Sequence, residues 1–427
     1  MFDLPTVQRG KTTHTNWSGN YRYRARALHA PSTLEELSEI VSTRPRVRVL
    51  GSRHSFSDIA DSAELVTLDG LDRDIAVGRN RTTVSMGGAV RYGELIERLR
   101  QEGLALANLA SLPHISVAGA ICTATHGSGD HNGNLATAVA GLQIVTSDGG
   151  ILTTERGDPE FEGLVVSLGA VGALVRVTLN VEPAYEVRQR VFEGLRWDSL
   201  FEHFDAIFAS GYAVSAFSRW GETVEQVWVK SRVGNKPESV VSELFGAATA
   251  TEDRHPITGL DPVHATRQGG VPGPWSERLP HFRLGFTPSS GAEIQSEFLV
   301  ARHNAVEAIK AVLRLGPIVG PLTQVSEIRT VAADGMWMSP QYGQDTVAIH
   351  FTWQPQQEVV ERALAEVERA LAPFDARPHW GKLFLMGAES IGKLYPRRDD
   401  FVALVERVDR RGAFRNRWLE QRVLSVY

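Results

Sequence analysis

Cysteine is nearly absent: Cys122 stands alone among 427 residues, which excludes an intrachain disulfide and a thiolate metal cluster. Lysine is scarce. Only six of the 45 basic residues are lysines, so arginine is the default cation and a lysine inside an aromatic motif, such as His379-Trp380-Gly381-Lys382, is informative. No basic run of five or more occurs, and 45 Lys+Arg against 50 Asp+Glu leave a net charge of −5, so nucleic acid is not an expected partner. Long apolar runs are missing too. The longest, Gly163 to Val175, is too short and glycine-rich to span a bilayer, and Met1 to Tyr23 is polar without a leader-like apolar core. These absences point to a cytoplasmic protein with no membrane partner. Hydrophobic residues at 42% and charged residues at 22% are those of a globular protein, and the length suits two domains.

The chain is organised around Val47-Arg48-Val49-Leu50-Gly51-Ser52-Arg53-His54-Ser55-Phe56-Ser57. Arg46 to Leu50 reads as a strand, Gly51 permits a sharp turn with exposed amides, and His54 then offers a nitrogen nucleophile at one fixed point. Such a turn can cradle a pyrophosphate. Upstream, Thr33 with Glu36 signals the start of a helix that buries Leu34, Leu37, Ile40 and Val41. A hairpin over Ile75 to Val77 and Thr83 to Met86 follows, then a helix over Tyr92 to Arg100. The segment Asn108 to Gly129 is rich in Gly, Ala, Ser and Thr, which lets backbone approach a flat ligand closely. Leu135 to Thr154 reads as two strands turned at Ser147-Asp148-Gly149-Gly150, and Ser167 to Val175 as a third small-residue loop before a strand over Arg176 to Val181.

The pattern changes around Glu182 to Arg188, where a second domain is expected to begin. A helix over Leu200 to Ala209 and strands near Ala213 to Arg219 and Gln226 to Ser231 open it, and the irregular Pro237 to Pro280 stretch reads as a lid or meandering cover. Three later segments alternate polar and apolar residues. Glu293, Gln295 and Glu297, Glu327 and Arg329, and His350 and Thr352 each share a strand face, so neighbouring strands would set Gln295, Glu327, Arg329, His350 and Thr352 on one polar wall. An antiparallel sheet with one solvated face gives the same pattern. Thr125-His126-Gly127 and His131 lack a second ligand cluster, so a hydrogen-bonded loop histidine is expected there and no metal.

Together the His54 loop, Asn108 to Gly129, Pro272 to Arg283, Thr287 to Glu293, Ser326 to Asp334 and Arg377 to Lys382 resemble the alditol (xylitol) oxidases, flavoproteins of the vanillyl-alcohol oxidase type. The resemblance runs from about Asn16 to the end of the chain. It implies an α+β, two-domain vanillyl-alcohol oxidase fold with a PCMH-type FAD-binding domain over 1–184. A substrate domain with an antiparallel sheet is expected over 185–395, and a tail over 396–427 that returns to the FAD domain.

The resemblance further implies FAD bonded through its 8α-methyl to His54. One covalent bond is expected, because Cys122 lies outside the Ser111 to His114 region where doubly attached relatives carry their second link. Arg53 stands where many members of the wider class have glycine, so its side chain must find room or point outward. Cofactor contacts are expected from Leu50, Gly51, Ser52, Arg53 and Ser55, from Ser111, Ser116, Gly119, Ala120, Ile121 and Cys122, and from Val171 and His379. Around the substrate the resemblance sets Ser111, Gln295, Glu327, Arg329, His350, Thr352 and Lys382.

The implied reaction is oxidation of the terminal primary hydroxyl of a polyol such as xylitol or sorbitol, by hydride transfer to flavin N5, with O2 reduced to H2O2. His350 with Lys382 is expected to handle the hydroxyl proton and Arg329 to stabilise charge on oxygen. A monomer is expected. Two other readings compete: a sugar-acid or aldonolactone oxidase or dehydrogenase of the same fold, and a non-catalytic flavin-binding protein, against which so many hydroxyl-binding groups argue.

Overall fold

The computed structural model describes residues 15–234, 242–285 and 293–425; the Thr287 to Ala292 part of the motif above and the start of the Pro237 to Pro280 stretch lie outside them. In the first part of the chain, Val47–Val49 runs parallel to Glu64–Val66, which pairs on its other side with Ala27–His29. Helix Leu34–Thr43 begins where Thr33 accepts a bond from the Glu36 amide, while the Glu36 carboxylate accepts from the amide of Ser32. Leu37 and Val41 bury its inner face. A five-stranded antiparallel sheet follows in the order Ile75–Val77, Thr83–Gly87, Ala173–Asn180, Val139–Val145, Ile151–Glu155. Helix Tyr92–Gln101 adds Leu95, Ile96 and Leu99 to the core beneath it.

Two expectations shift here. Leu135–Ala138 is a 3-10 turn capped by Asn134, so the strand begins only at Val139. The loop expected over Ser167 to Val175 is shorter, because Ala173 and Leu174 already pair with Val145 and Ile144 in the sheet.

The second half is built on an antiparallel sheet that has ten strands among the described residues. Its centre runs Glu186–Arg196, Thr223–Arg232, Ala213–Ser218, Thr323–Val331, Thr346–Trp353, Ile294–Ala301. The expected helix over Leu200 to Ala209 is broken into Trp197–Glu202 and Phe204–Phe208, since His203 leaves helical geometry with its ring stacked 4.8 Å from Phe245. Phe298, Phe351 and Trp353 pack in one core with Ile309 of helix Ala305–Leu313 and Leu364 of helix Gln357–Leu371. Phe351 and Trp353 stack at 4.8 Å, and in a strand their neighbours His350 and Thr352 face the opposite way. Among the described residues no helix is long and apolar enough to cross a membrane.

The tail is tied to the first part of the chain by one buried arginine. Arg48 donates to the carbonyls of Gly169 at 2.7 Å, Leu168 at 2.6 Å, Ile59 at 2.7 Å and Phe414 at 3.0 Å. The Val47 amide donates to Ala413 at 2.7 Å, and the Asn416 side chain donates to the carbonyls of Ile59 and Asp61. Arg48→Met strands those carbonyls in a dry site, so it is expected to lower unfolding stability by roughly 3 kcal/mol or more. Urea unfolding checks this; a loss below about 1 kcal/mol would mean that apolar contacts alone hold the tail.

Candidate active site

A cavity of about 600 Å³ separates the two halves of the expected site. The His54 loop and the Ser111 to His126 segment line one side, and the faces of the strands carrying Gln295, Glu327 and His350 line the other. Of the residues expected from sequence, Leu50, Gly51, Ser52, Arg53, His54, Ser55, Ser111, Ser116, Gly119, Ala120, Cys122 and His379 line it, as do Gln295, Glu327, Arg329, His350, Thr352 and Lys382. Ile121 and Val171 do not. Their side chains are fully buried in the apolar core, Ile121 on the inner face of helix Val117–Cys122 and Val171 just ahead of the sheet. His255, Ile257, Leu260 and His264 of the irregular stretch also line the cavity, so that stretch covers it.

The His54 loop is held from several directions. The Trp17 amide donates to Arg53 at 2.8 Å, the Phe56 amide donates to Gly381 at 2.9 Å, and the Ser116 amide donates to the Ser52 hydroxyl at 2.9 Å. A Cβ at Gly51 or at Gly119 would come within 2.7 Å of the Ser116 hydroxyl, so both glycines permit this close approach of loop and helix. Arg53 adopts a φ of 63°, the left-handed conformation that favours glycine, and its guanidinium turns away to the Thr15 carbonyl. Its larger side chain is therefore accommodated by pointing outward, with the backbone strain retained.

His54 stacks on Trp17 at 5.1 Å, and its Nδ1 is buried without a hydrogen-bond partner. Burial, with Arg91 nearby, pushes its pKa down to about 3, leaving a neutral imidazole with an available lone pair. An orphaned ring nitrogen, a loop closed over glycines and a long cavity fit the expected FAD. Cys122 faces the Ser167 hydroxyl at 3.5 Å, and burial raises its pKa.

On the facing wall, strand register sets the chemistry. The strand of His350 is central, so Glu297, His350 and Glu327 fall in one row, with Phe217 continuing it beyond Glu327. Gln295 lies opposite Thr352 in the next row. This is not a solvated face: Glu297 is 1% exposed, Glu327 and Arg329 5% each, and His350 8%. The Arg329 guanidinium donates to Glu297 Oε1 at 2.5 Å and brings Nε within 3.5 Å of Glu327 Oε2. Burial raises the pKa of both carboxyls, but the Arg329 charge, with His126 beside Glu297 and His281 beside Glu327, outweighs it and holds both well below the usual range. Burial pushes His350 down to about 3 and lowers Lys382 as well.

Gln295 links the last two residues. Its amide nitrogen donates to Glu293 at 2.5 Å, so its Oε1 faces His350 Nε2 at 3.2 Å and accepts from Lys382. His350 therefore donates through Nε2 and keeps Nδ1 as its lone pair.

Several site residues carried no role in the sequence reading. Glu297 shares the face of Gln295 at spacing two, which was signal enough, and His281 sits inside a quoted motif. His126 bonds Gly127 through Nδ1 as a loop histidine should, yet its Nε2 lies 3.3 Å from Glu297. With His379 these two offer ligand-type atoms within 4.8 Å of one another, a cluster that residues so distant in sequence do not advertise. Arg329 already donates to Glu297 Oε1, so a cation at this cluster would compete with the guanidinium.

Buried neutral histidines make stability depend on pH. Burial pushes His281 down to about 4, His350 to about 3 and His379 well below its ordinary value. Below about pH 6.5 the unfolded chain binds protons that these rings refuse, so stability must fall as pH falls. Between about pH 6 and 4.5 each histidine is expected to remove close to 1.4 kcal/mol per pH unit. Urea midpoints measured across this window check it; midpoints independent of pH would show that the rings are accessible and protonated in the fold.

Comparison with known proteins agrees with this geometry. Residues 25–155 match the family model described as FAD binding domain, and residues 299–422 that described as D-arabinono-1,4-lactone oxidase. The alditol oxidase of a Streptomyces species is 45% identical over 413 residues, covering 96% of this chain and 98% of that protein. The L-gulono-1,4-lactone dehydrogenase of Mycobacterium tuberculosis is 28% identical over 426 residues, covering 94% and 97%. Among solved structures, cholesterol oxidase from B. sterolicum matches with a TM-score of 0.77 at 16% identity, over 96% of each chain, which shows a common fold. That fold is the α+β vanillyl-alcohol oxidase type, and its cofactor is FAD. The chain belongs to the alditol oxidase family of flavoproteins.

Proposed function

We propose that this protein oxidises the terminal primary hydroxyl of an alditol such as xylitol or sorbitol to the aldose, with FAD as cofactor and O2 as acceptor, giving H2O2. One observation carries the reading: Glu327, Arg329, His350, Thr352, Gln295 and Lys382, the first four of them buried, turn hydrogen-bonding groups into one cavity. A polyol presents a hydroxyl on every carbon, and a site built to bond hydroxyls rejects analogues that lack them. We take 1–184 as the FAD-binding domain, 185–395 as the substrate domain and 396–427 as the returning tail, in a cytoplasmic monomer without nucleic-acid or membrane partners.

In this reading Glu327 accepts from a substrate hydroxyl, while Arg329 and Lys382 donate; Thr352 adds a hydroxyl from the wall and Ser111 one from the facing side. When bound, FAD supplies the acceptor for the hydride and passes the electrons to O2. His350 Nδ1, supported by Lys382, takes the hydroxyl proton, because the neutral imidazole is the basic form. Arg329 faces the oxygen as negative charge develops on it. His54 is the covalent attachment point, consistent with its free lone pair. A single bond is expected, since burial keeps the Cys122 thiol protonated and poorly nucleophilic. A second reading, oxidation of an aldonolactone in the same cavity, draws support from the match of residues 299–422 to the lactone oxidase model.

Anaerobic mixing with xylitol is expected to bleach the flavin, and admitting air to restore its colour with release of peroxide. Bleaching by an aldonolactone but not by xylitol would replace the first reading with the second. His350→Ala is expected to slow anaerobic bleaching at least about 100-fold, and an unchanged rate would remove His350 from proton transfer. Acid precipitation should carry flavin down with the wild type and leave it in solution with His54→Ala.

A further inference from the structure

Behind Glu327 lies a chain of buried polar groups that the reaction itself does not call for. Lys230, on strand Thr223–Arg232, is 2% exposed, and its amine reaches the Leu279 carbonyl at 2.5 Å, the Pro280 carbonyl at 3.5 Å and His281 Nδ1 at 3.2 Å. His281 Nε2 in turn lies 2.8 Å from Glu327 Oε1. Phe217 and Trp228 meet the His281 ring edge-on, each at 5.4 Å, and fix its plane.

With His281 neutral beside an ionised Glu327, one arrangement of protons satisfies this chain. An ionised carboxylate accepts and never donates, so His281 must carry its hydrogen on Nε2. A neutral imidazole has a single N–H, so Nδ1 is then a lone pair that needs a donor, and the Lys230 amine supplies it. Burying an amine is costly, and an aliphatic side chain would fill the same space without that cost. Core packing alone leaves its presence unexplained.

We propose that Lys230 and His281 are a positioning pair which, through the Nε2–H tautomer of His281, locks Glu327 in the orientation that accepts a substrate hydroxyl. His281 occupies one lone pair of Oε1, and Arg329 stands 3.5 Å from Oε2, so the carboxylate cannot rotate and its remaining lone pairs are left for the cavity. The groups facing Glu327 are Arg329 on its own strand, His350 on the central strand, and His281, with Lys230 behind it. The inference rests on the alditol reading for the identity of the hydroxyl donor, but not for the tautomer.

The test uses the flavin-loaded enzyme and three variants. His281→Phe keeps the ring and removes the donor; it is expected to raise KM for xylitol about tenfold while changing the limiting rate of flavin reduction far less. Without its donor Glu327 becomes easier to protonate, so kcat/KM should fall towards acid pH in the variant where the wild-type profile is still flat. His281→Gln offers an N–H at the position of Nε2 and should recover both KM and the flat profile. Imidazole 15N spectra, assigned by the signal lost in His281→Gln, should give wild-type His281 as the Nε2–H tautomer and should lose that preference in Lys230→Met.

A wild-type KM and profile in His281→Phe, or an Nδ1–H tautomer in the wild type, would overturn the proposal. The spectra need no substrate, and the signal lost in either His281 variant assigns them, so the tautomer is decided even if the other fails to fold. Failure of xylitol to bleach the wild type would instead count against the alditol reading, and the same KM comparison would then be made with the aldonolactone that does bleach it.

Discussion

A guanidinium taken out of water must be met by acceptors, and Arg329 is met by two carboxylates, Glu297 at 2.5 Å and Glu327 at 3.5 Å. Each partner is ionised because the other is there: burial alone would neutralise both acids, and the arginine reverses that. Buried ion pairs add little net stability, since desolvation consumes most of the attraction. Their use here is chemical. The pairing keeps fixed charges in the cavity wall, where a hydroxyl, and then an oxygen gaining negative charge, meets dipoles that need no reorganisation.

The sheet makes such a row possible. Antiparallel register puts Glu297, His350 and Glu327 side by side, and alternation sends Phe351 and Trp353 backward into the core. The wall is thus carried on rigid strands rather than loops. Its partner across the cavity is a loop, and that loop is tied into both halves: Phe56 bonds Gly381 next to Lys382, while Arg48 on the preceding strand gathers carbonyls from the Leu168 turn and from the tail. His126 extends the first half to Glu297 directly. The two sides of the cavity are therefore positioned by polar contacts between distant parts of the chain.

Much of this was legible in local pattern. The spacing of Gln295, Glu327, Arg329, His350 and Thr352 defined strand faces, and the segments Ile294–Ala301, Thr323–Val331 and Thr346–Trp353 do pair with one another. What pattern left open was whether that face met water, because alternation is blind to what covers a sheet; burial settles it. Glu297 was visible at the right spacing, but a carboxylate beside Phe298 reads equally well as surface until Arg329 is seen against it. Lys230 and His281 lie far apart in sequence and meet only where the irregular stretch packs against strand Thr223–Arg232. Ile121 and Val171 show the opposite case, since small-residue segments attract cofactor assignments while individual side chains in them turn to the core.

The central claim is that Glu327, held ionised by its buried neighbours, reads a specific substrate hydroxyl. The most direct measurement is kcat/KM for xylitol and for each monodeoxy pentitol, in the wild type and in Glu327→Gln. The account predicts that at least one deoxy compound loses tenfold or more against the wild type, roughly the worth of a hydrogen bond to a charged group, and that most of this penalty vanishes in the variant. Equal penalties in both enzymes for every deoxy compound would mean that Glu327 contacts no hydroxyl, and the charge row would have to be understood without the substrate.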